Sequence, residues 1–201
     1  MLLNEHYWFF KKALSNEVCN KIIETALQHP MRKGLVGNSK DIDIVEKKTR
    51  QSTITWLNDT WIYNIIHPYV ETANRNAGWN FQWDFSETMQ FTIYKKNQFY
   101  TWHTDQRSKP YPSDHTNVNY KNKIRKLSVT VQLSNGKDYS GGELEFDLKN
   151  KKTGNTKQIC KAGKEKGTIV VFPSFIWHRV RPVTKGKRMS LVMWNIGAPF
   201  I

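Results

Sequence analysis

The apolar positions follow two different periods along the chain. Over residues 16–28, Val18, Ile22, Ile23 and Ala26 fall on one helical face; Ser15 stands where an N-cap is needed, and Pro30 lies beyond the end. Residues 58–77 repeat the pattern with Trp61, Ile65, Ile66, Tyr69 and Ala73, with Gly78 as a stop and Pro68 predicting a kink or a split. The stretch between them, 31–50, is polar and charged and reads as a mobile loop. From residue 87 the period becomes two. Strands are predicted over 87–95, 99–104, 125–134, 142–148, 156–160, 167–172, 176–181 and 187–195, separated by turn sequences such as Ser134-Asn135-Gly136 and Lys185-Gly186. Trp79, Phe81 and Trp83 also alternate like a flanking strand and are assigned to packing. Short strands without intervening helices predict a mainly β chain, a two-sheet jelly roll with the early helices packed outside it.

Length and composition add bounds. At 201 residues the chain fits one domain, divided into a helical support region (1–86) and a β core (87–196). Eight Trp and ten Phe imply large flat side chains in that core, some of them lining a cavity. Cys19 and Cys160 form neither a disulfide framework nor a close-spaced zinc motif, which points to a reducing cytoplasm. The opening residues do not read as a signal peptide, and no apolar run approaches the roughly 20 residues of a membrane span. The formal charge is +14, and residues 149–188 hold twelve Lys or Arg against one acid, Glu165. Either this is a solvated basic face, or it attracts an acidic or nucleic-acid-associated partner.

The candidate chemistry starts at Trp102-His103-Thr104-Asp105. Residues i and i+2 of a strand share a face, so His103 and Asp105 aim an imidazole and a carboxylate at one point, about 6–7 Å apart at the backbone. A histidine from another strand would complete a two-histidine, one-carboxylate set with adjacent open positions, an arrangement suited to non-haem Fe(II) and oxygen chemistry. His178 lies in a strand-like run, and Arg188 follows ten residues later across a Lys-Gly turn. Arg188 can grip a carboxylate through two hydrogen bonds, and Ser190 shares its face. A metal triad beside a carboxylate clamp is what an α-keto diacid needs, with one end on the metal and the other anchored.

Three blocks now resemble the prolyl 4-hydroxylase-like branch of the 2-oxoglutarate/Fe(II) dioxygenases. They are Tyr94 to Asp105; Lys126 to Ser134 with Tyr139 to Phe146; and Phe172 to Val183 with Gly186 and Arg188. Asn97 stands where the family often has glycine before Gln98. Arg188, in place of the lysine of many animal collagen hydroxylases, puts the chain nearer the bacterial and viral members. The resemblance implies Fe(II) at His103, Asp105 and His178, and 2-oxoglutarate at Arg188 with Tyr94 and, further, Ser190 or Gln132. It also implies O₂ as co-substrate and a hydroxylation coupled to decarboxylation of 2-oxoglutarate to succinate. Tyr94 reads equally as a core tyrosine, and Ser190 and Gln132 as ordinary strand polar groups.

Substrate choice is assigned to the loops 31–50 and 106–122, the second a candidate lid carrying Arg107 and Tyr111. Trp194, on the face of Arg188, is either a pocket residue or core. His6, His29, His67 and His115 lack partners at ligand spacing and read as structural. The leading expectation is a hydroxylase of a peptidyl or protein residue, with proline the first guess. The alternatives are an AlkB-like nucleic-acid demethylase and a catalytically silent basic jelly roll that binds nucleic acid or a ribonucleoprotein. Trp194 stands where the AlkB-like branch places a second arginine, six positions after Arg188, and counts against the demethylase.

Overall fold

The computed structural model describes residues 3–34, 49–148 and 156–200. In chain order the elements are β1 (Trp8–Phe10), α1 (Asn16–Leu27), β2 (Arg32–Lys33), β3 (Arg50–Gln51), β4 (Thr53–Leu57), α2 (Thr60–Asn76), β5 (Phe85–Ser86), β6 (Met89–Tyr94), β7 (Phe99–His103), β8 (Ile124–Gln132), β9 (Tyr139–Gly141), β10 (Leu144–Asp147), β11 (Lys157–Ile159), β12 (Ile169–Pro173), β13 (Trp177–Val180), β14 (Val183–Gly186) and β15 (Arg188–Gly197). They form the expected double-stranded β-helix. One sheet runs β1-β12-β8-β15-β6-β4-β2, with β5 also on β15; the second runs β11-β10-β13-β7-β3; β14 and β9 form a separate pair. The described ladders are antiparallel.

The large sheet explains why the strand pattern is so clean. Its two faces are both buried, but against different things. Met89, Phe91 and Ile93 of β6, Leu127, Val129 and Val131 of β8, and Leu191 and Met193 of β15 form one apolar face. It packs with Ile22 and Ala26 of α1 and Ile62, Ile66, Val70 and Ala73 of α2. The alternate residues Gln90, Thr92, Tyr94, Thr130, Arg188, Ser190 and Trp194 point into a cavity between the two sheets. Period two thus separates a dry layer under the helices from a polar chamber within the barrel.

Local chemistry places the helices. The Ser15 hydroxyl accepts from Val18 N–H at 3.3 Å and caps α1. Pro68 neither splits nor ends α2, which runs on to Asn76. Pro68 and Asn64, whose carbonyl loses its intrahelical donor, both face solvent, where water can serve that carbonyl.

Other expectations need correction. Residues 79–83 are not a strand: Asn80 adopts φ 52°, and the Asn74 side chain clamps Phe81 through both its N–H and its carbonyl. Trp79 and Phe81 are nevertheless buried in the main core. The N-terminal region supplies more than helices, since β1 and β4 extend the large sheet and β3 edges the small one. Within 31–50, Arg32–Lys33 and Arg50 are strand residues, and 35–48 lie outside the described residues. No helix among the described residues is long and apolar enough to cross a membrane.

Phe91 is fully buried between the large sheet and the helices. Phe91→Ala is therefore expected to lower unfolding free energy by about 3–5 kcal/mol, read from urea denaturation.

Candidate active site

Strand pairing sets the site. β13 pairs antiparallel with β7, with His178 directly opposite His103. Asp105 lies two residues past the end of β7 and is held by backbone bonds: its N–H and that of Gln106 both donate to Ser174 O at 2.9 Å. The carboxylate then faces both rings, with His103 Nε2 3.8 Å from Oδ1 and His178 Nε2 3.5 Å from Oδ2. One ligand atom from each of the three residues lies within 4.8 Å of the others.

The tautomers favour metal binding. His103 Nδ1 lies 2.7 Å from Thr101 O, and His178 Nδ1 3.0 Å from Ile176 O. A carbonyl only accepts, so each Nδ1 carries a proton and each Nε2 is left as the ring atom facing Asp105, the one available to a metal. Burial, then the neighbouring His178, pushes His103 down to about 3. Burial pushes Asp105 upward, but His178, His103 and Arg125 outweigh it and leave the carboxyl below its usual range. Two imidazoles held with Nε2 inward and one carboxylate, all nearly dry, fit a divalent cation such as Fe(II).

The cavity beyond these groups measures about 490 Å³. At one end Arg188 is only 2% exposed and makes no ion pair among the described residues; its Nη1 reaches Ser190 Oγ at 3.4 Å and its Nε has no partner. A buried guanidinium without a counter-ion is costly, so the end is built for an anion. One carboxylate of 2-oxoglutarate fits that demand. Tyr94 lies opposite Arg188 in the ladder, its ring 5.8 Å from the guanidinium, and it too lines the cavity.

The remaining expected residues divide. Trp194 and Arg107 line the cavity. Gln132 does not: its amide donates to Ser134 O and Tyr139 Oη. Tyr111 does not either: its hydroxyl donates to Glu87 Oε1 at 2.8 Å, and Arg107 stacks on its ring. Burial raises that phenol to about 12. The candidate lid 106–122 folds back on itself, with Tyr111 N–H on Lys123 O and the Tyr120 ring against Phe85, Tyr111 and His115. Of that segment only Gln106 and Arg107 reach the cavity wall.

Four side chains in the cavity carry weight that the sequence reading missed. Tyr100 stacks on His103 with ring centroids 3.5 Å apart. Arg125 makes a two-pronged pair with Glu87, at 2.7 and 2.6 Å, while its guanidinium lies 3.9 Å over Trp194. Trp56, exposed, leans toward Trp194 at 6.3 Å. Arg50 stacks 4.7 Å over Tyr100. The only sequence signal was strand alternation: Tyr100 sits in the ligand segment, and Arg125 opens the strand predicted over 125–134.

Residues 89–195 match the family described as the 2OG-Fe(II) oxygenase superfamily. A PKHD-type hydroxylase of Alteromonas mediterranea is 33% identical over 105 residues, 52% of this chain and 41% of that protein. One from Xylella fastidiosa is 31% identical over 107 residues, again 52% of this chain and 42% of that protein. The chain thus spans about two fifths of the length of these curated relatives. Among solved structures, a viral collagen prolyl hydroxylase from Paramecium Bursaria Chlorella virus-1, in complex with 2OG, superposes with TM-score 0.66 at 20% identity, covering 98% of both chains. A Pseudomonas putida prolyl-4-hydroxylase gives 0.68 at 17% identity, over 96% of this chain and 93% of its own. A Trichoplax adhaerens prolyl hydroxylase, in complex with a hypoxia inducible factor peptide fragment, gives 0.68 at 14%, over 96% and 84%. At these identities the structures speak to the fold alone.

The depressed His103 gives a stability prediction for the metal-free chain. The unfolded imidazole takes up a proton near pH 6.5, whereas the folded one resists until about pH 3. Stability is therefore full above the unfolded value and falls as pH drops through that window. In chelator, urea midpoints should decline from pH 7 to pH 4, and His103→Gln should flatten the decline.

Proposed function

The chain belongs to the 2OG-Fe(II) oxygenase superfamily, and from that premise we propose that it hydroxylates a peptidyl or protein residue, with proline as the first candidate. The observation that carries this reading is the pairing of an Nε2-presenting triad with an unneutralised Arg188 in one cavity. Two of the solved structures that share the fold, a viral collagen prolyl hydroxylase and a prolyl hydroxylase in complex with a hypoxia inducible factor peptide fragment, favour a peptide substrate here.

In this reading His103, Asp105 and His178 hold the iron, and the backbone carbonyls of Thr101 and Ile176 keep both imidazoles in the ligating tautomer. Arg188 binds the far carboxylate of 2-oxoglutarate, with Ser190 and Tyr94 beside it. When bound, iron, 2-oxoglutarate and O₂ supply the oxidant: one oxygen atom goes to succinate, one to the hydroxylated product, and CO₂ leaves. Phe172, Leu144 and Val180 wall the chamber and exclude water from the reacting atoms. Tyr100 braces the His103 ring by stacking. Trp194, fixed by Arg125, offers a flat apolar surface for the substrate side chain at the opening it shares with Trp56.

Anaerobic addition of Fe(II) and 2-oxoglutarate should produce a weak visible charge-transfer band, absent in His178→Ala. In air the wild type should form succinate slowly without substrate, and Arg188→Gln should raise the 2-oxoglutarate KM by about 30-fold, the worth of a charge-assisted bond. Mass spectrometry of incubated proline peptides should reveal products heavier by one oxygen. No band and no succinate would refute the oxygenase reading; succinate with oxidised products lacking proline would refute only the first choice of residue.

A further inference from the structure

The cavity holds a second buried cation that neither iron nor 2-oxoglutarate accounts for. Arg50 is only 7% exposed. Its Nε donates to Ser52 Oγ at 2.9 Å and its Nη2 to Gln90 Oε1 at 2.6 Å, both neutral acceptors. Among the described residues it makes no ion pair, in contrast to Arg125, whose charge Glu87 cancels. Its position is close to the chemistry: the guanidinium lies 4.7 Å over the Tyr100 ring, which in turn stacks on His103. Arg50, Gln90 and Tyr100 all line the same chamber as the triad.

Charge accounting, which rests on the oxygenase reading, isolates this group. The positive charges of Fe(II) and Arg188 are matched by the negative charges of Asp105 and of the two 2-oxoglutarate carboxylates. Arg125 is matched by Glu87. Arg107 is exposed and screened by water. Among the described residues Arg50 is left as a buried cation without a counter-charge beside the metal ligands, in surroundings where an unpaired charge is costly and an incoming anion is strongly favoured. Its hydrogen bonds to Ser52 and Gln90 fix the planar fork in advance, so little side-chain freedom is lost when an anion docks.

We propose that Arg50 is a specificity-determining residue that receives a carboxylate of the prime substrate, so that the oxidised residue either carries a free carboxylate or has an acidic neighbour in the peptide. The shared chemistry is a carboxylate held one aromatic ring away from the His103 imidazole. The same contact orients the substrate against Trp194 and suppresses neutral competitors, because they leave the guanidinium desolvated and unpaired.

The test compares matched acid and amide probes while succinate is measured in the same reactions. One pair is free L-proline and L-prolinamide. The other is a capped proline peptide with Asp or Glu beside the proline and its Asn or Gln counterpart. The acid member of at least one pair should stimulate succinate formation above the uncoupled rate, with kcat/KM about 30-fold above that of its amide. Which pair responds distinguishes a free acid from an acidic peptide. Arg50→Gln should bring the acid-to-amide ratio close to one, and Arg50→Lys, which keeps the charge without the fork, should restore part of it. Urea melts of both variants check that the fold is retained. Equal use of acid and amide by the wild type, discrimination that survives in Arg50→Gln, or stimulation by none of the acids would overturn the proposal. Uncoupled succinate that persists in those cases shows the oxygenase reading still standing; its absence shows that reading failing as well.

Discussion

The register between β7 and β13 is the constraint on which the site depends. His103 and His178 face each other across this one ladder, and a slip of one residue on either strand would turn an imidazole out of the chamber. The register is protected from both sides. The ladder shifts between His178 and Val180, so the pairing beyond the ligand is set independently of the pairing at it. On its other edge β13 pairs with β10, where Phe146 stands opposite His178 and packs into a small core with Leu144, Phe172 and Ile176. Moving His178 would require moving Phe146, which is fully buried.

Charge placement follows from the same architecture. The large sheet spends its apolar face on the two helices and keeps its polar face for the cavity, so arginines enter the chamber from its strands and from the edge of the small sheet. Arg125 arrives with its own carboxylate, Glu87, which also takes the Tyr111 hydroxyl. Arg125 Nη1 further reaches the Asp105 backbone carbonyl at 3.4 Å. One ion pair thereby ties the 106–122 segment, the Trp194 platform and the loop carrying the carboxylate ligand into a single rigid patch. Among the described residues Arg188 and Arg50 have no acidic partner, and this asymmetry separates groups that brace the chamber from groups that await a ligand.

Much of this was legible in the residues. The Ser15 cap, the alternation of Leu127 through Leu133, the His-x-Asp pair and the Arg188 spacing each rest on local rules, and local rules survive folding. The short strands β1 and β4 escaped because pairing makes them: β1 is a strand only against β12, some 160 positions away in the chain. Tyr111 and Gln132 were misplaced for a related reason. A loop position or a strand face does not name the partner: the Tyr111 hydroxyl is captured by Glu87 from a distant part of the chain, and the Gln132 amide by Ser134 and Tyr139 in the turn that follows it. Arg50 was passed over inside a stretch read as loop, where nothing nearby announces that its charge is buried.

The opposition of His103 and His178 has a consequence for biogenesis. The two strands that carry them pair residues 103 and 178, a long way apart in the chain, and so non-local a ladder costs loop-closure entropy before its contacts repay it. A cation gripped by the completed triad binds the finished barrel and has little hold on an open chain, so by mass action it draws newly made polypeptide toward the native state. Iron supply would then govern how many copies mature and escape proteolysis, before it governs how fast any one of them turns over.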